Sequence, residues 1–245
     1  MRMEQKFINK IEELYKKYNN DVQSLREEQR PLSFGDEKLE YRKYDDLEAE
    51  ILYMLVKEYK PSVIKELGCA GGWSCSWMLQ ALKEIGSGKC NSFDPAPVQS
   101  DLDKIKKLER AKHWEFRSVQ AQRAHMWHSV IPTIDFLFID ALHETKFHKW
   151  CIDTLIEPIR KNGKKVPVVV HDVFINSDKF HSTCHVFDRY LRDNKISWFT
   201  ASDGFKTEHK NLLSLRNTLS IGREGNLSSS TKNPSIFFIL NDKIE

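Results

Sequence analysis

Apolar residues fall along this chain in two rhythms, a helical spacing among charges and short unbroken runs. Residues 3–18 carry Phe7, Ile8, Ile11, Leu14 and Tyr15 at helical spacing, which predicts an amphipathic helix ahead of the main fold. Such a helix either covers a sheet or serves a partner, and packing is the commoner use. Residues 19–45 are polar, contain Pro31 and Gly35, and read as a loop or short turns. A second helix is expected over Leu47–Tyr59, capped by Asp45 or Asp46 and closed by Pro61. Its apolar face is Ile51, Leu52, Leu55 and Val56.

From there short apolar runs alternate with helical patterns. Strands are predicted at Val63–Leu67, Cys90–Phe93, Trp114–Val119, Ile134–Ile139, Val166–Val170, Ile196–Thr200 and Ser235–Leu240. Helices are predicted through Trp77 to Leu82, over Asp101–Arg110, and over residues 121–130, 146–160 and 178–193. In 146–160 the inward positions are Trp150, Ile152, Leu155 and Ile159. Strands alternating with helices imply an α/β, Rossmann-like fold: seven strands, mostly parallel, with helices on both faces. Residues 1–45 are expected as an N-terminal helical extension and 46–245 as the main domain. The stretch 202–234, rich in Ser, Asn, Gly and Lys, is expected as a lid or acceptor-facing loop.

Composition narrows the class. The 245 residues are 40% hydrophobic and 30% charged, which suits one soluble α/β domain with a full core. The net charge of +3 is spread over interleaved Lys, Arg, Asp and Glu, and the cations of 104–112 read as a solvated face, so no nucleic-acid partner is expected. No run of 18 apolar residues exists, so no membrane span is expected. The first six residues lack the apolar core of a signal peptide, which makes the cytoplasm the expected location. The cysteines at 69, 75, 90, 151 and 184 are odd in number and form no Cys-x-x-Cys pair, so neither a disulfide framework nor a zinc ribbon is suggested. His181, Cys184 and His185 have ligand-type spacing but no second half-site, which is weak evidence for zinc.

The candidate chemistry begins at Val63–Ser74, a strand that turns on Gly68, Gly71 and Gly72 into a helix. Such a turn lets a nucleotide-like ligand lie against bare backbone. Glu66 stands near the carboxyl end of the strand, where open α/β sheets bind their ligands, and Ser74 is placed to cap the helix. The spacing Gly68-Cys69-Ala70-Gly71-Gly72 is not the dinucleotide fingerprint. Glu-x-Gly-x-x-Gly-Gly-x-Ser instead resembles the first motif of the class I S-adenosylmethionine-dependent methyltransferases. The resemblance implies that Glu66, Gly68 and Gly72, with Cys69, Ala70, Trp73 and Ser74 of the same turn, surround the methionine part of the cofactor. It further implies that Asp94, at the end of the second strand, holds the ribose. Ser118 and Gln120 after the third strand would lie near the adenine, although Arg117–Gln120 lacks the acid often found there.

A second cluster follows strands four and five. Asp140, His143, His171 and Asp172 converge at the edge that carries the glycine turn. Carboxylates and imidazole around one point suit a divalent cation such as Mg²⁺ or Mn²⁺. Phe-Ile-Asp-x-x-His, then His-Asp after the next strand, resembles the metal-dependent sugar O-methyltransferases and their cephalosporin-hydroxylase-like relatives. The resemblance implies Asp140, His171 and Asp172 as metal ligands and His143, beside Asp140, as catalytic base. His171 stands where those enzymes have an acid, and imidazole is a poorer ligand for Mg²⁺. The expected activity is O-methylation of a sugar or glycan hydroxyl, with a small-molecule or glycan acceptor as partner. A phenolic acceptor, RNA, or a non-catalytic binding module are the alternatives, RNA being disfavoured by the absence of a Lys-Asp-Lys-Glu set and of a basic stripe. The oligomeric state is left open.

Overall fold

The structure is a computed structural model that describes residues 5–34, 38–40, 46–123, 131–173, 183–221 and 234–242. Two helices come first, α1 (Gln5–Lys17) and α2 (Asn19–Phe34), then α3 (Asp46–Tyr59). The sheet follows: β1 (Val63–Leu67), α4 (Trp73–Ile85), β2 (Lys89–Phe93), α5 (Gln99–Lys106), β3 (Trp114–Arg117) and β4 (Phe136–Ile139). Next, α6 (Thr145–Cys151) passes through one wide π-type turn, Ile152–Ile156, into α7 (Glu157–Lys161). The chain ends with β5 (Val166–Val170), α8 (Thr183–Asp193), β6 (Trp198–Phe199), α9 (Lys206–Thr218) and β7 (Ile236–Leu240).

The seven strands lie in the order β3-β2-β1-β4-β5-β7-β6. β1 to β5 are mutually parallel, and β7 runs antiparallel between β5 and β6. Every residue of β4, β5 and β7 is buried, as a sheet covered on both faces requires. The register places the last residues of five strands in one row: Arg117, Phe93, Leu67, Ile139 and Val170. The residues that follow, Ser118, Asp94, Gly68, Asp140 and His171, therefore leave the sheet at one edge. Val170 pairs with Ile236, so Ser235 enters the same edge from the opposite direction.

The N-terminal segment departs from expectation. Residues 19–34 are a helix, not a loop. Val22, Leu25 and Leu32 recur at helical spacing and are buried, and Pro31 sits in the last turn, where it removes one i→i−4 bond close to the helix end. The apolar face of α1 is buried too. Phe7 stacks on Phe199 of β6, ring centroids 6.3 Å apart, so α1 serves the sheet. The polar stretch after residue 202 is also no simple loop: Lys206–Thr218 is helical, with Leu212 and Arg216 buried and α9 packed on α1. Residues 222–233 lie outside the described residues. Of the helix predicted over 121–130, residues 121–123 form one 3₁₀ turn and the rest lies outside the described residues. The same is true of His181 and of residues 178–182 of the helix predicted over 178–193, which begins at Thr183 within the described chain.

A buried carboxylate ties these helices together. Glu50 of α3 is fully buried and accepts from Tyr15 of α1, Arg26 of α2 and both Nε and Nη2 of Arg216 on α9, at 2.6–2.9 Å. The bidentate Arg216 contact fixes the approach of α9. Removing one partner of such a site strands the others in a low dielectric. Glu50→Ala is expected to cost about 3 kcal/mol, read from the urea midpoint, because two guanidinium groups lose their counter-charge. A change under about 1 kcal/mol would mean that water replaces the carboxylate.

Candidate active site

The glycine turn is built by close backbone approach. Gly68 N–H donates to the carbonyl of Phe93 at 2.8 Å, and Asp140 N–H donates to the carbonyl of Leu67 at 2.7 Å. The turn after β1 is thereby pinned between β2 and β4. Cys69 and Ala70 present their amides to one side, and both donate to Asp94 Oδ2 at 3.0 and 2.8 Å. Ala96 N–H occupies Asp94 Oδ1 at 2.8 Å. Asp94 thus shapes the turn as well as standing at the end of β2, where the sequence placed a ribose-holding acid. A carboxylate has about four acceptor sites, so three amides leave room for a hydroxyl.

Glu66 lies beneath the turn and is engaged by its own fold. It is fully buried, and its carboxylate accepts from Ser74 Oγ at 2.9 Å and from Ser92 Oγ. Burial raises its pKa to about 7. Ser74 is spent on this contact and does not cap α4. The cap residue is Gly72, which makes no side-chain bond. Trp114 Nε1 donates to Ser92 Oγ at 2.8 Å, extending the brace to β3. Trp73 is also interior, 3% exposed, with its ring edge-on to Trp77 at 5.6 Å. Ser118 and Gln120 are exposed after β3.

Asp140, His143, His171 and Asp172 come together as expected. His143 Nε2 lies 3.2 Å from Asp172 Oδ2 and 3.9 Å from Asp140 Oδ1. His171 Nε2 lies 3.2 Å from Asp172 Oδ1, a through-space contact not aligned as a hydrogen bond. Asp172 adopts φ +56°, a left-handed backbone that Asp tolerates better than most residues but that still costs free energy. Such strain persists only where the surroundings hold it. Burial pushes the His143 pKa down from its ordinary value, and burial followed by the nearby His143 pushes His171 to about 3. Both rings are neutral near pH 7. Asp140, His171 and Asp172 each offer a ligand atom, all within 4.8 Å of one another. Two carboxylates and an imidazole form a donor set that fits a divalent cation, Mn²⁺ better than Mg²⁺.

Two features of this edge had no signal in sequence spacing. Leu142, between Asp140 and His143, is 49% exposed and is the exposed large hydrophobic side chain among the described residues. His148 of α6 is 1% exposed, and both its ring nitrogens lack a hydrogen-bond partner among the described residues. It packs edge-on to Phe187 at 5.2 Å. Burial, then His143, lowers its pKa to about 4.

An unsatisfied buried imidazole is a standing cost. His148→Phe is expected to raise stability at pH 7 by about 1–2 kcal/mol, since a ring of similar shape carries no polar atoms to desolvate. The pH dependence follows from the lowered pKa. The unfolded chain binds a proton near pH 6.5 that the native ring refuses, so this contribution is complete above that pH and is lost as pH falls toward 4. Urea midpoints at pH 7.5 and pH 5 check both: the variant should lose less on acidification than the wild type.

Residues 65–173, which run from β1 through β5 and end one residue past Asp172, match the family model described as a methyltransferase domain. The topology, with β7 antiparallel between β5 and β6, and the turn after β1 agree with it. This is a class I methyltransferase fold. No curated protein matches the chain in sequence. Solved structures share the fold at low identity. An O-methyltransferase from Bacillus cereus in complex with SAH superposes with a TM-score of 0.53 at 14% identity, covering 91% of this chain and 90% of that one. A putative O-methyltransferase from Klebsiella pneumoniae gives 0.51 at 12% identity, covering 90% and 89%. A cofactor-bound protein from MTB gives 0.52 at 14%, covering 91% and 98%. No helix among the described residues is long and apolar enough to cross a membrane.

Proposed function

We propose that this methyltransferase moves the methyl group of S-adenosylmethionine to a hydroxyl oxygen of a small acceptor, a sugar or glycoside, with His143 as the base. The observation that carries the reading is the His143–Asp172 pair, 3.2 Å apart at the sheet edge shared with the glycine turn. The turn's free face is the site for the methionine part of the cofactor, and Asp94 is the acceptor for its ribose hydroxyls. Relatives of this fold named as O-methyltransferases support oxygen as the atom methylated.

The acceptor hydroxyl is a poor nucleophile while it keeps its proton. His143 is neutral near pH 7 and a third exposed, so it can take that proton as the C–O bond forms. A ring nitrogen of His143 takes the proton; bound S-adenosylmethionine would supply the methyl group, its S–C bond breaking, with the electron pair kept by sulfur, as the C–O bond forms. Asp172 and Asp140 stabilise the imidazolium that results. A cation held by Asp140 and Asp172 would lower the pKa of a bound acceptor hydroxyl. Leu142 offers an apolar contact to the carbon face of a sugar ring. Holding hydroxyl and methyl in line is the remaining part, chiefly a proximity effect.

The test is calorimetric titration with S-adenosylmethionine, with and without Mn²⁺ or Mg²⁺, followed by a methyl-transfer screen over glycosides and catechols. Cofactor binding and transfer to a glycoside are expected. Transfer to catechols alone would replace the sugar reading with the phenolic one, and no heat under any condition would remove the proposal. A further variant probes the turn: Asp94→Ala should weaken cofactor binding about 10–100-fold, because the amides of Cys69 and Ala70 lose their anchor and the ribose its acceptor.

A further inference from the structure

Behind the His143–Asp172 pair the chain buries a second line of polar groups. Glu48 of α3 is fully buried, although sequence spacing gave it no role. Its Oε1 accepts the backbone N–H of Ser235, at the entry to β7, and its Oε2 lies 3.7 Å from His171 Nδ1. Ser235 Oγ is 3.0 Å from the same Nδ1. On the far side of the ring, Nε2 faces Asp172 at 3.2 Å, and Asp172 faces His143 at 3.2 Å. Side-chain exposure falls along the series from 32% at His143 to 15% at Asp172, 4% at His171 and nil at Glu48. Carboxylate and imidazole alternate from the core to the sheet edge.

A carboxylate in that position is expensive unless something uses it, and an aliphatic side chain would pack there at lower cost. The donor and acceptor inventory says what it does. An ionised carboxylate only accepts, and a neutral imidazole carries one N–H. The His171–Asp172 contact across 3.2 Å is electrostatic rather than a hydrogen bond. It favours the N–H on Nε2, since a bare nitrogen lone pair would repel the Asp172 carboxylate, and that leaves Nδ1 as an acceptor. A carboxylate cannot bond a bare Nδ1, and Glu48 stops at 3.7 Å, beyond hydrogen-bond reach. Ser235 fills the gap: its N–H goes to Glu48, and its hydroxyl, 3.0 Å from Nδ1, is within reach to donate to it.

We propose that Glu48 and Ser235 are positioning residues which hold the His171 proton on Nε2, so that His171 aims the Asp172 carboxylate at His143 rather than serving as a metal ligand. Asp172 keeps its left-handed backbone because the ring beside it is fixed from behind. The inference takes the methyl-transfer reading as its starting point and adds the buried groups that orient its carboxylate. Orienting groups one layer behind a reacting pair typically contribute tenfold to a hundredfold in rate.

The experiment places the proton directly. Protein labelled with ¹⁵N-histidine is observed by NMR at one pH, with His171 assigned through His171→Asn. In the wild type, only Nε2 of His171 should be protonated. Ser235→Ala keeps the backbone N–H to Glu48 and loses the hydroxyl, so the two tautomers should exchange. Its kcat should fall about tenfold with KM for S-adenosylmethionine unchanged. Ser235→Cys, a weak donor of similar size, should fall between. A wild-type proton on Nδ1, or His171 signals unmoved in both variants, overturns the proposal. If no acceptor is ever methylated, the rate arm is lost with the functional reading, while the NMR arm still decides where the proton sits.

Discussion

Gly68→Ala is expected to unfold the centre of the molecule rather than adjust it. A Cβ at Gly68 would lie 1.8 Å from the carbonyl oxygen of Asp140 and 2.6 Å from its carbonyl carbon. Those are backbone atoms, fixed because Asp140 N–H bonds to the Leu67 carbonyl and His171 N–H to the Ile139 carbonyl. No rotamer change relieves the overlap, so either the turn leaves β1 or β4 leaves the sheet. Gly68 also has φ +83°, which costs an L-residue about 1–2 kcal/mol by itself. Gly86 is the internal control, with φ +81° and nothing within 4 Å of the methyl that alanine would add. Gly86→Ala should lose only the backbone term, about 1–2 kcal/mol, while Gly68→Ala should lose more than about 4 kcal/mol and all measurable cofactor binding. Urea unfolding of both variants, with calorimetry on the survivors, measures the difference. Equal losses would mean that β1 and β4 do not meet as closely as the sheet register requires.

The same glycine shows what the sequence made legible. Its place between a buried strand and an apolar helix marked the turn, and the acid after β2 and the Asp-x-x-His and His-Asp pairs marked the edge. Unbroken apolar runs gave β4 and β5 because both faces are covered, and no polar residue interrupts the pattern. Side-chain partners were another matter. Glu66 and Ser74 read as ligand contacts from their motif, yet they bond to each other under the turn, a pairing that only the packed α4–β1 interface creates. Helices whose buried face is partly polar were missed. In α2 the inward set includes Gln29, and α9 buries Arg216, so a count of apolar residues sees loops. Glu48 and Glu50 were invisible for the same reason. Their partners Ser235 and Arg216 lie more than 160 residues downstream, and no local spacing encodes them.

His143→Ala should abolish methyl transfer while leaving the fold and cofactor binding intact. The side chain stands on the loop after β4 with a third of its surface open, so its removal leaves no core cavity. It contributes nothing to the turn, whose bonds run through Gly68, Asp94 and Asp140. Loss of a positioned base typically lowers the rate about 10²–10⁴-fold. The pH profile separates this from a structural effect. Burial holds the His143 pKa below its ordinary value, so the ring is already deprotonated at neutral pH. The wild-type kcat/KM should therefore be level above about pH 7 and decline on acidification, as protonation removes the acceptor for the hydroxyl proton. In His143→Ala the residual rate should instead rise with pH, as hydroxide or a deprotonated acceptor takes over. Methyl transfer from labelled cofactor between about pH 5.5 and 9 distinguishes the two shapes. A variant that keeps the wild-type profile would transfer the role of base to another group at this edge, with Asp172, 3.2 Å away, the first to test.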